Sequence, residues 1–106
     1  MVFSLLRHRL TIEDRVDIAN NAGGVVRQWR PRFQIWGAIE TIDAAQYWEA
    51  AQTGQRLTHR VTIRFRNDID TTQRFKKDQS IFDIRGIRDP DGRKRRLICL
   101  CEEIRP

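Results

Sequence analysis

The sequence predicts a mainly β protein, a small antiparallel β-barrel of about six strands with one short α-helix packed on it. Apolar and polar residues alternate with a period of two along much of the chain, which is the pattern of half-buried strands. The 106 residues suffice for one domain, residues 1–106, and are too few for a two-layer α/β fold. Because edge strands are a liability in so small a sheet, closure into a barrel is favoured.

The strands are expected to follow one another with short connections, except for a long loop between the first two. The alternation places them at residues 9–14, 33–42, 57–66, 73–77, 81–88 and 95–104. The strongest turn signal is Asp89-Pro90-Asp91-Gly92, because Pro presets φ, Asp bonds to nearby backbone and Gly accepts a positive φ. The second half of the chain is therefore expected to form a meander.

The alternation also assigns a core. Val61, Ile63 and Phe65 fall on one face of the third strand, with arginine and threonine on the other face. Phe82 and Ile84 share a face of the fifth strand in the same way. We expect these five side chains to point into the barrel, because alternate residues of a strand face the same side.

One helix is expected over residues 43–52, between the second and third strands. Asp43 can cap its first turn and Gly54 can end its last turn. Trp48 is predicted to anchor the helix on the sheet near Trp36, and both tryptophans are assigned to the core. Burial of a ring of that size stabilises a fold by roughly 2–3 kcal/mol.

Residues 17–30 are predicted to be a long flexible loop between the first two strands. The segment contains Asn20, Asn21, Gly23 and Gly24, which no regular element favours, and Trp29 could be buried against a partner. A loop this long in a compact domain is usually functional or disordered. The alternative is a plain surface hairpin.

The charge balance suggests an acidic partner, either a nucleic acid or an acidic protein surface. The chain has 20 basic and 14 acidic residues, formally +6, and 17 of the basic residues are arginine. A bias of the host genome towards arginine would explain the same count. Two groups of arginines stand out, one on the outer face of the third strand and one beside the predicted turn: Arg60, Arg64, Arg66, Arg93, Arg95 and Arg96.

The sequence shows no pattern of catalytic, metal-binding or cofactor-binding residues. His8 and His59 have no ligand partner at strand spacing, and no glycine-rich loop leads into a helix with a lysine. Cys99 and Cys101 are interpreted as small reduced core residues, which suits synthesis in a cytoplasm. The apolar stretch at residues 1–6 is too short for a signal peptide or a membrane span. We therefore expect a protein that is not an enzyme and does not enter a membrane.

The chain resembles the phage head–tail joining family, whose members are also called head–tail adaptor or head-closure (stopper) proteins. The most specific match is the third strand, Thr58-His59-Arg60-Val61-Thr62-Ile63-Arg64-Phe65-Arg66. The order and spacing of four further segments agree with it: Leu6-Arg7-His8-Arg9-Leu10-Thr11-Ile12, Trp36-Gly37-Ala38-Ile39-Glu40, Phe82-Asp83-Ile84-Arg85-Gly86-Ile87-Arg88-Asp89 and Leu97-Ile98-Cys99-Leu100-Cys101-Glu102-Glu103.

The resemblance implies a β-barrel that assembles as a homo-oligomeric ring of roughly six or roughly twelve copies. Such a ring lies in the neck of a virion or phage-like particle, between a head-proximal adaptor or portal ring and tail terminator or tail tube proteins. It closes the channel through which double-stranded DNA passes without sequence-specific contact, and it gives the tail an attachment site.

Carried onto this chain, the resemblance makes residues 17–30 the loop that reaches the channel or a partner, and the six arginines candidates for the ring interface or for proximity to DNA. Assembly would take place in the bacterial cytoplasm, for a phage, a prophage or a gene transfer agent. A small-barrel nucleic-acid-binding protein is the alternative, although the arginine stripe lacks interleaved aromatic residues for base stacking. A host-derived interaction module is a third option.

Overall fold

The computed structural model describes residues 6–104, so most of the N-terminal apolar stretch lies outside the described residues. Within them the chain forms six strands and one helix in this order: β1 His8–Ala19, β2 Val25–Thr41, α1 Ala44–Gln52, β3 His59–Arg64, β4 Arg74–Lys77, β5 Ser80–Arg88 and β6 Arg96–Ile104. In this part of the chain, no helix combines the length and the hydrophobicity that crossing a membrane requires.

The predicted barrel is confirmed. The strands close in the order β1-β2-β3-β6-β5-β4, and every neighbouring pair is antiparallel. Five of the six seams join strands over four or more residue pairs, whereas β1 meets β4 through three pairs only: Thr11 with Lys76, Ile12 with Phe75 and Glu13 with Arg74. This short seam completes the barrel.

The core lies inside the barrel and consists of the inward residues of all six strands. Val61, Ile63, Phe82 and Ile84 are buried there, and Phe65 is half-buried and packs against them from one end. The fully buried side chains are Leu10, Ile12, Val61, Ile63, Phe75, Ile84, Cys99 and Cys101. Each fully buried Leu, Ile, Val or Phe stabilises the fold by about 1.5–3 kcal/mol relative to an exposed one.

The helix forms where the sequence predicts it, but Trp48 does not anchor it. Asp43 Oδ1 accepts a hydrogen bond from the Gln46 backbone at 2.8 Å, and Gly54 follows the helix with φ +82°. The buried helical residue is Ala50, which joins a small apolar cluster of Ile42 and Leu57. Trp48 is two residues from Ala50, about 200° around the nine-residue helix, so its ring lies on the opposite side and is 65% exposed.

The prediction that Trp36 belongs to the core is also wrong. Trp36 is 51% exposed, whereas its neighbours Ile35 and Gly37 face the interior. A Cβ atom on Gly37 would lie 2.7 Å from Leu10 Cδ1, which shows how closely the backbone approaches the core at this position. Alternation then fixes Trp36 on the outer face of the barrel.

Residues 17–30 are not a loop. The first two strands continue as a paired ribbon from Asp14↔Arg30 to Ala19↔Val25, and only residues 20–24 form the turn. In the ribbon these residues pair with each other and with no third strand, and the molecule extends 51 Å along its longest axis against 32 and 27 Å along the others. We call residues 14–30 the protruding hairpin.

Candidate functional site

The turn of the protruding hairpin is held by its own side chains. Asn20 Oδ1 accepts hydrogen bonds from the backbone of Ala22 at 3.0 Å and of Gly24 at 2.9 Å. Gly23 supplies the positive φ of +80° that closes the turn. Asn20 and Gly23, predicted as contact residues, therefore shape the turn, and Asn21 and Gly24 lie exposed beside them.

The tip of the protruding hairpin is apolar and exposed. Ile18 and Val26 are paired across the ribbon on one face, and Ala19 and Val25 are paired on the other. Val25 and Val26 rank among the most exposed large hydrophobic residues of the chain. The only charged residues from 17 to 27 are Asp17 and Arg27, which lie 3.9 Å apart, so the tip carries no net charge.

On one face, the base of the hairpin is fixed to the barrel by an ion pair and a stacked ring. Arg74 Nε donates to Glu13 Oε1 at 2.6 Å, and Glu13 is buried. The same guanidinium lies 4.1 Å from the centre of the Trp29 ring. Trp29 therefore belongs to the base of the hairpin, where Arg74 covers it, and not to the exposed tip.

On the other face, a hydrogen-bond network fixes the base. The buried Gln73 donates from Nε2 to Asp14 Oδ1 at 2.8 Å and to the Asp68 carbonyl at 3.2 Å. Arg66 donates two hydrogen bonds of 2.9 Å to the Asp68 carboxylate, and this hydrogen bonding holds the pKa of Asp68 below its usual value. The hairpin is thus held from both sides in one direction relative to the barrel.

The six arginines singled out from the sequence do not form one site. Arg60 pairs with Glu40 at 3.4 Å, Arg66 pairs with Asp68, and Arg95 pairs with Asp91 at 2.9 Å. Arg93 and Arg96 make no ion pair with any residue between 6 and 104. The structure therefore separates arginines that are engaged within the chain from arginines that face outward.

A row of outward side chains crosses four neighbouring strands. Arg9 on β1 is opposite Trp36 on β2, and Arg64 on β3 is opposite Arg96 on β6. Trp36 and Arg64 are adjacent because each is one residue beyond the Gly37↔Ile63 pair that joins β2 to β3. The Arg9 guanidinium lies 5.1 Å from the centre of the Trp36 ring. We call Arg9, Trp36, Arg64 and Arg96 the Trp36 row. Sequence reasoning missed it because the order of strands, which brings these residues together, is not visible in a single strand.

A cleft opens beside the Trp36 row, where the pairing of β2 and β3 ends. It measures about 340 Å³, and its walls combine apolar and basic side chains: Ile35, Trp36, Ile63, Arg64, Phe65 and Arg66. Such a space is large enough to receive a side chain of a partner.

The titratable groups of the interior are not poised for chemistry at neutral pH. Burial raises the pKa of the Cys99 thiol to about 12 and also raises that of Cys101. Burial and the neighbouring Lys77 lower the pKa of His8, whose Nδ1 lies 2.6 Å from Lys77 Nζ. Among residues 6–104 there is no group of three or more His, Cys, Asp or Glu placed to hold a metal ion.

Comparisons with known proteins agree with this architecture. Residues 1–104 match the family described as phage head completion protein. A protein of Shigella flexneri 2a with a solution structure is 26% identical, with a TM-score of 0.76 over 97% of this chain and 96% of that one. A chain from the virion of a native gene transfer agent particle shares the fold, with a TM-score of 0.65, 20% identity and coverage of 95% and 97%. The comparison with curated proteins gives no match.

Proposed function

This chain belongs to the phage head completion protein family, a family of structural proteins of the phage particle, and we propose that it forms a ring between head and tail. In this role it closes the DNA channel of a filled head and gives the tail a surface to attach to. It acts by binding its neighbours, without catalysis and without a cofactor.

The observation that carries the proposal is the presence of three separate apolar patches on so small a protein. They lie at the hairpin tip, at Trp36 and on α1, and their exposed large residues are Ile18, Val25, Val26, Trp36, Tyr47 and Trp48. Single exposed hydrophobic residues are ordinary on protein surfaces, but grouped ones, such as those of the hairpin tip and the Tyr47–Trp48 pair, usually mark contact sites. A ring of identical subunits needs two different complementary faces on each subunit, and contacts above and below it need more. Separate patches suit this requirement.

The protruding hairpin is proposed to point towards the channel. Its base is fixed on both faces, by the Glu13–Arg74 pair and by the Gln73–Asp14 hydrogen bond, so its direction is set by the barrel. Its tip has no net charge between residues 17 and 27 and is mostly apolar. Such a tip obstructs a channel by packing against copies of itself rather than by holding phosphate, because phosphate contacts are made mainly by basic and polar groups.

The proposed partners are a head-proximal adaptor or portal ring on one side and tail terminator or tail tube proteins on the other. The ring would hold roughly six or roughly twelve copies, numbers that close by rotation. Assembly in the bacterial cytoplasm would then place the protein in the neck of a phage, prophage-derived or gene transfer agent particle, around double-stranded DNA.

Electron microscopy of particles made without this gene tests the proposal. We expect DNA-filled heads and free tails that fail to join, because the ring that connects them is missing. Supplying the full chain from a plasmid should restore joined particles. Particles with normal tails and normal DNA content in the deletion would contradict the proposed role.

A nucleic-acid-binding protein remains the second candidate, favoured by the basic side chains of Arg93, Lys94 and Arg96, which have no ion pair among residues 6–104. A salt titration with duplex DNA separates the two functions. A dedicated binder has an affinity that falls steeply with salt, by roughly 10³-fold or more between 50 and 200 mM when it contacts many phosphates. A connector should bind free DNA weakly at 50 mM salt already.

A further inference from the structure

We infer that the Trp36 row and its cleft form a docking surface for an acidic segment of a different protein in the same particle. The inference rests on the proposed function in one respect, which is that the partner is another protein of the same particle. It adds a defined surface, a charge and a type of anchor, none of which follows from membership of the family.

The geometry gives the surface its shape. The four side chains of the row point outward from neighbouring strands, which are spaced by about 4.8 Å, so the row spans about 14 Å. Arg9 is held in place by a hydrogen bond of 3.2 Å from its Nε to Gln34 Oε1 and by its stacking on Trp36. The surface is therefore largely formed before a partner binds.

The cleft supplies the apolar part of the contact. Beyond the Gly37↔Ile63 pair, β2 and β3 no longer bond to each other, and Ile35, Ile63 and Phe65 line the space between them. Trp36 forms one wall and keeps half of its surface exposed. An apolar side chain inserted here would contact the edge of the barrel core, which is the usual form of an energetically important anchor.

The charge of the surface sets the charge of the partner. Arg9 and Arg96 have no carboxylate partner among residues 6–104, and the exposed Arg93 lies three residues before Arg96, where β6 begins. Carboxylates flanking the apolar anchor would give Arg9 and Arg96 ion pairs.

A second copy of this chain does not fit the surface. Among residues 6–104, every carboxylate except those of Glu49 and Asp78 takes part in an interaction with another group of the chain. Glu49 is on α1 and Asp78 is in the turn between β4 and β5, so they do not form an acidic patch. A second copy would have to break existing pairs to supply its carboxylates, which favours an acidic segment of another protein.

Duplex DNA fits the surface less well than a protein does. A phosphate backbone would pair with the arginines but would leave the exposed ring of Trp36 and the apolar floor of the cleft without a partner. Tryptophan and arginine together are instead the residues most enriched at the energetic centre of protein interfaces.

The first test measures how many copies of each variant enter the particles. Trp36→Ala and Arg96→Glu should each lower the number of copies per particle, measured by quantitative mass spectrometry, by about tenfold. Trp36→Phe should retain most of the incorporation. Arg56→Glu is the matched control, because Arg56 is exposed, forms no ion pair among residues 6–104 and lies outside the Trp36 row, in the segment between α1 and β3. Thermal unfolding establishes that each variant is folded. Normal incorporation of folded Trp36→Ala and Arg96→Glu would overturn the inference.

The second test identifies the occupant. The photoreactive residue p-benzoylphenylalanine replaces Trp36 in the full chain, particles are irradiated, and cross-linked peptides are sequenced by mass spectrometry. We expect a cross-link to an Asp- or Glu-rich segment of another particle protein. Cross-links to this chain, to DNA or to nothing would each overturn the assignment. The absence of the unmodified chain from particles is a separate result, which would contradict the proposed function itself.

Discussion

The same two strands, β1 and β2, behave differently in the barrel and in the protruding hairpin. In the barrel, Leu10 and Ile12 are completely buried, whereas in the hairpin Ile18 and Val26 pair with each other and remain exposed. Both halves have continuous backbone pairing, but only one has a core behind it. An isolated two-stranded ribbon is marginally stable in water. Backbone pairing of β1 with β2 therefore determines the course of both strands, whereas the stability of the fold comes from the buried core and from the contacts at the base of the hairpin.

The largest effect is expected in the barrel core. Phe75→Ala removes a completely buried ring next to the β1–β4 seam and should lower the free energy of unfolding by about 3–5 kcal/mol, measured by urea denaturation. Val25→Ala at the hairpin tip is the control and should change it by less than about 0.5 kcal/mol. Similar losses for both variants would show that the tip is part of the folded core.

The next effect is expected at the base of the hairpin. Glu13→Gln leaves the Arg74 guanidinium without its carboxylate in a largely buried place and should destabilise by about 2–3 kcal/mol. The amides of residues 14–19 should also lose protection in hydrogen exchange, because the ribbon loses one of its attachments. Glu102→Gln breaks the exposed pair with Arg85 and should stay below about 1 kcal/mol. Unchanged protection of the ribbon in Glu13→Gln would show that this ion pair does not hold the hairpin.

Two glycines offer a third contrast. Gly37→Ala places a Cβ against Leu10 Cδ1 in the core and should destabilise by about 1–3 kcal/mol. Gly23→Ala meets no atom within 4 Å, so only its φ of +80° opposes the substitution, by about 1 kcal/mol. Thermal unfolding of both single variants and of the double variant checks this, since effects at such separate places should add. Strong non-additivity would mean that turn and core are coupled.

The smallest effect concerns the two buried thiols, which report on the barrel alone. Their folded pKa lies above the unfolded value of about 8.5, so the stabilisation that they give is complete below that pH and is lost as the pH rises above it.

Ellman's reagent should label the thiols of Cys99 and Cys101 at the rate of global unfolding. Replacing residues 17–27 by Asn-Gly, which joins Val16 to its partner Gln28, should leave that rate unchanged. Faster labelling of this shortened chain would show that the hairpin protects the core.

The parts of the fold that the sequence predicted are those in which one face is buried. In β3 and β5, apolar residues alternate with polar ones because one side meets the core, and β6 is recognisable as a short apolar run. The predicted limits of these three strands lie within two residues of the observed ones. The helix and the turn after β5 were predicted because Asp43, Gly54 and Gly92 play their expected local roles. These signals arise within a few residues and need no knowledge of the strand order.

For physical reasons, the protruding hairpin was only the alternative to a loop, and the two tryptophans were assigned wrongly. Both faces of the ribbon are exposed, so its residues do not alternate in polarity and only the Asn-Gly-rich turn stands out. Trp36 and Trp48 were assigned to the core by size and hydrophobicity, although large rings also lie at contact surfaces. The Trp36 row depends on the β1-β2-β3-β6 order, and no local pattern encodes it.

The short β1–β4 seam couples closure of the barrel to the direction of the protruding hairpin. Glu13 and Arg74 form the last residue pair of this seam and also hold the hairpin, and they are 61 residues apart in the chain. Contacts between such distant residues form late in folding, because a long loop has to close first. A newly made chain with an unfinished barrel therefore carries an undirected hairpin. If the proposed function holds, a subunit would be ready for its neighbours only once this seam has closed.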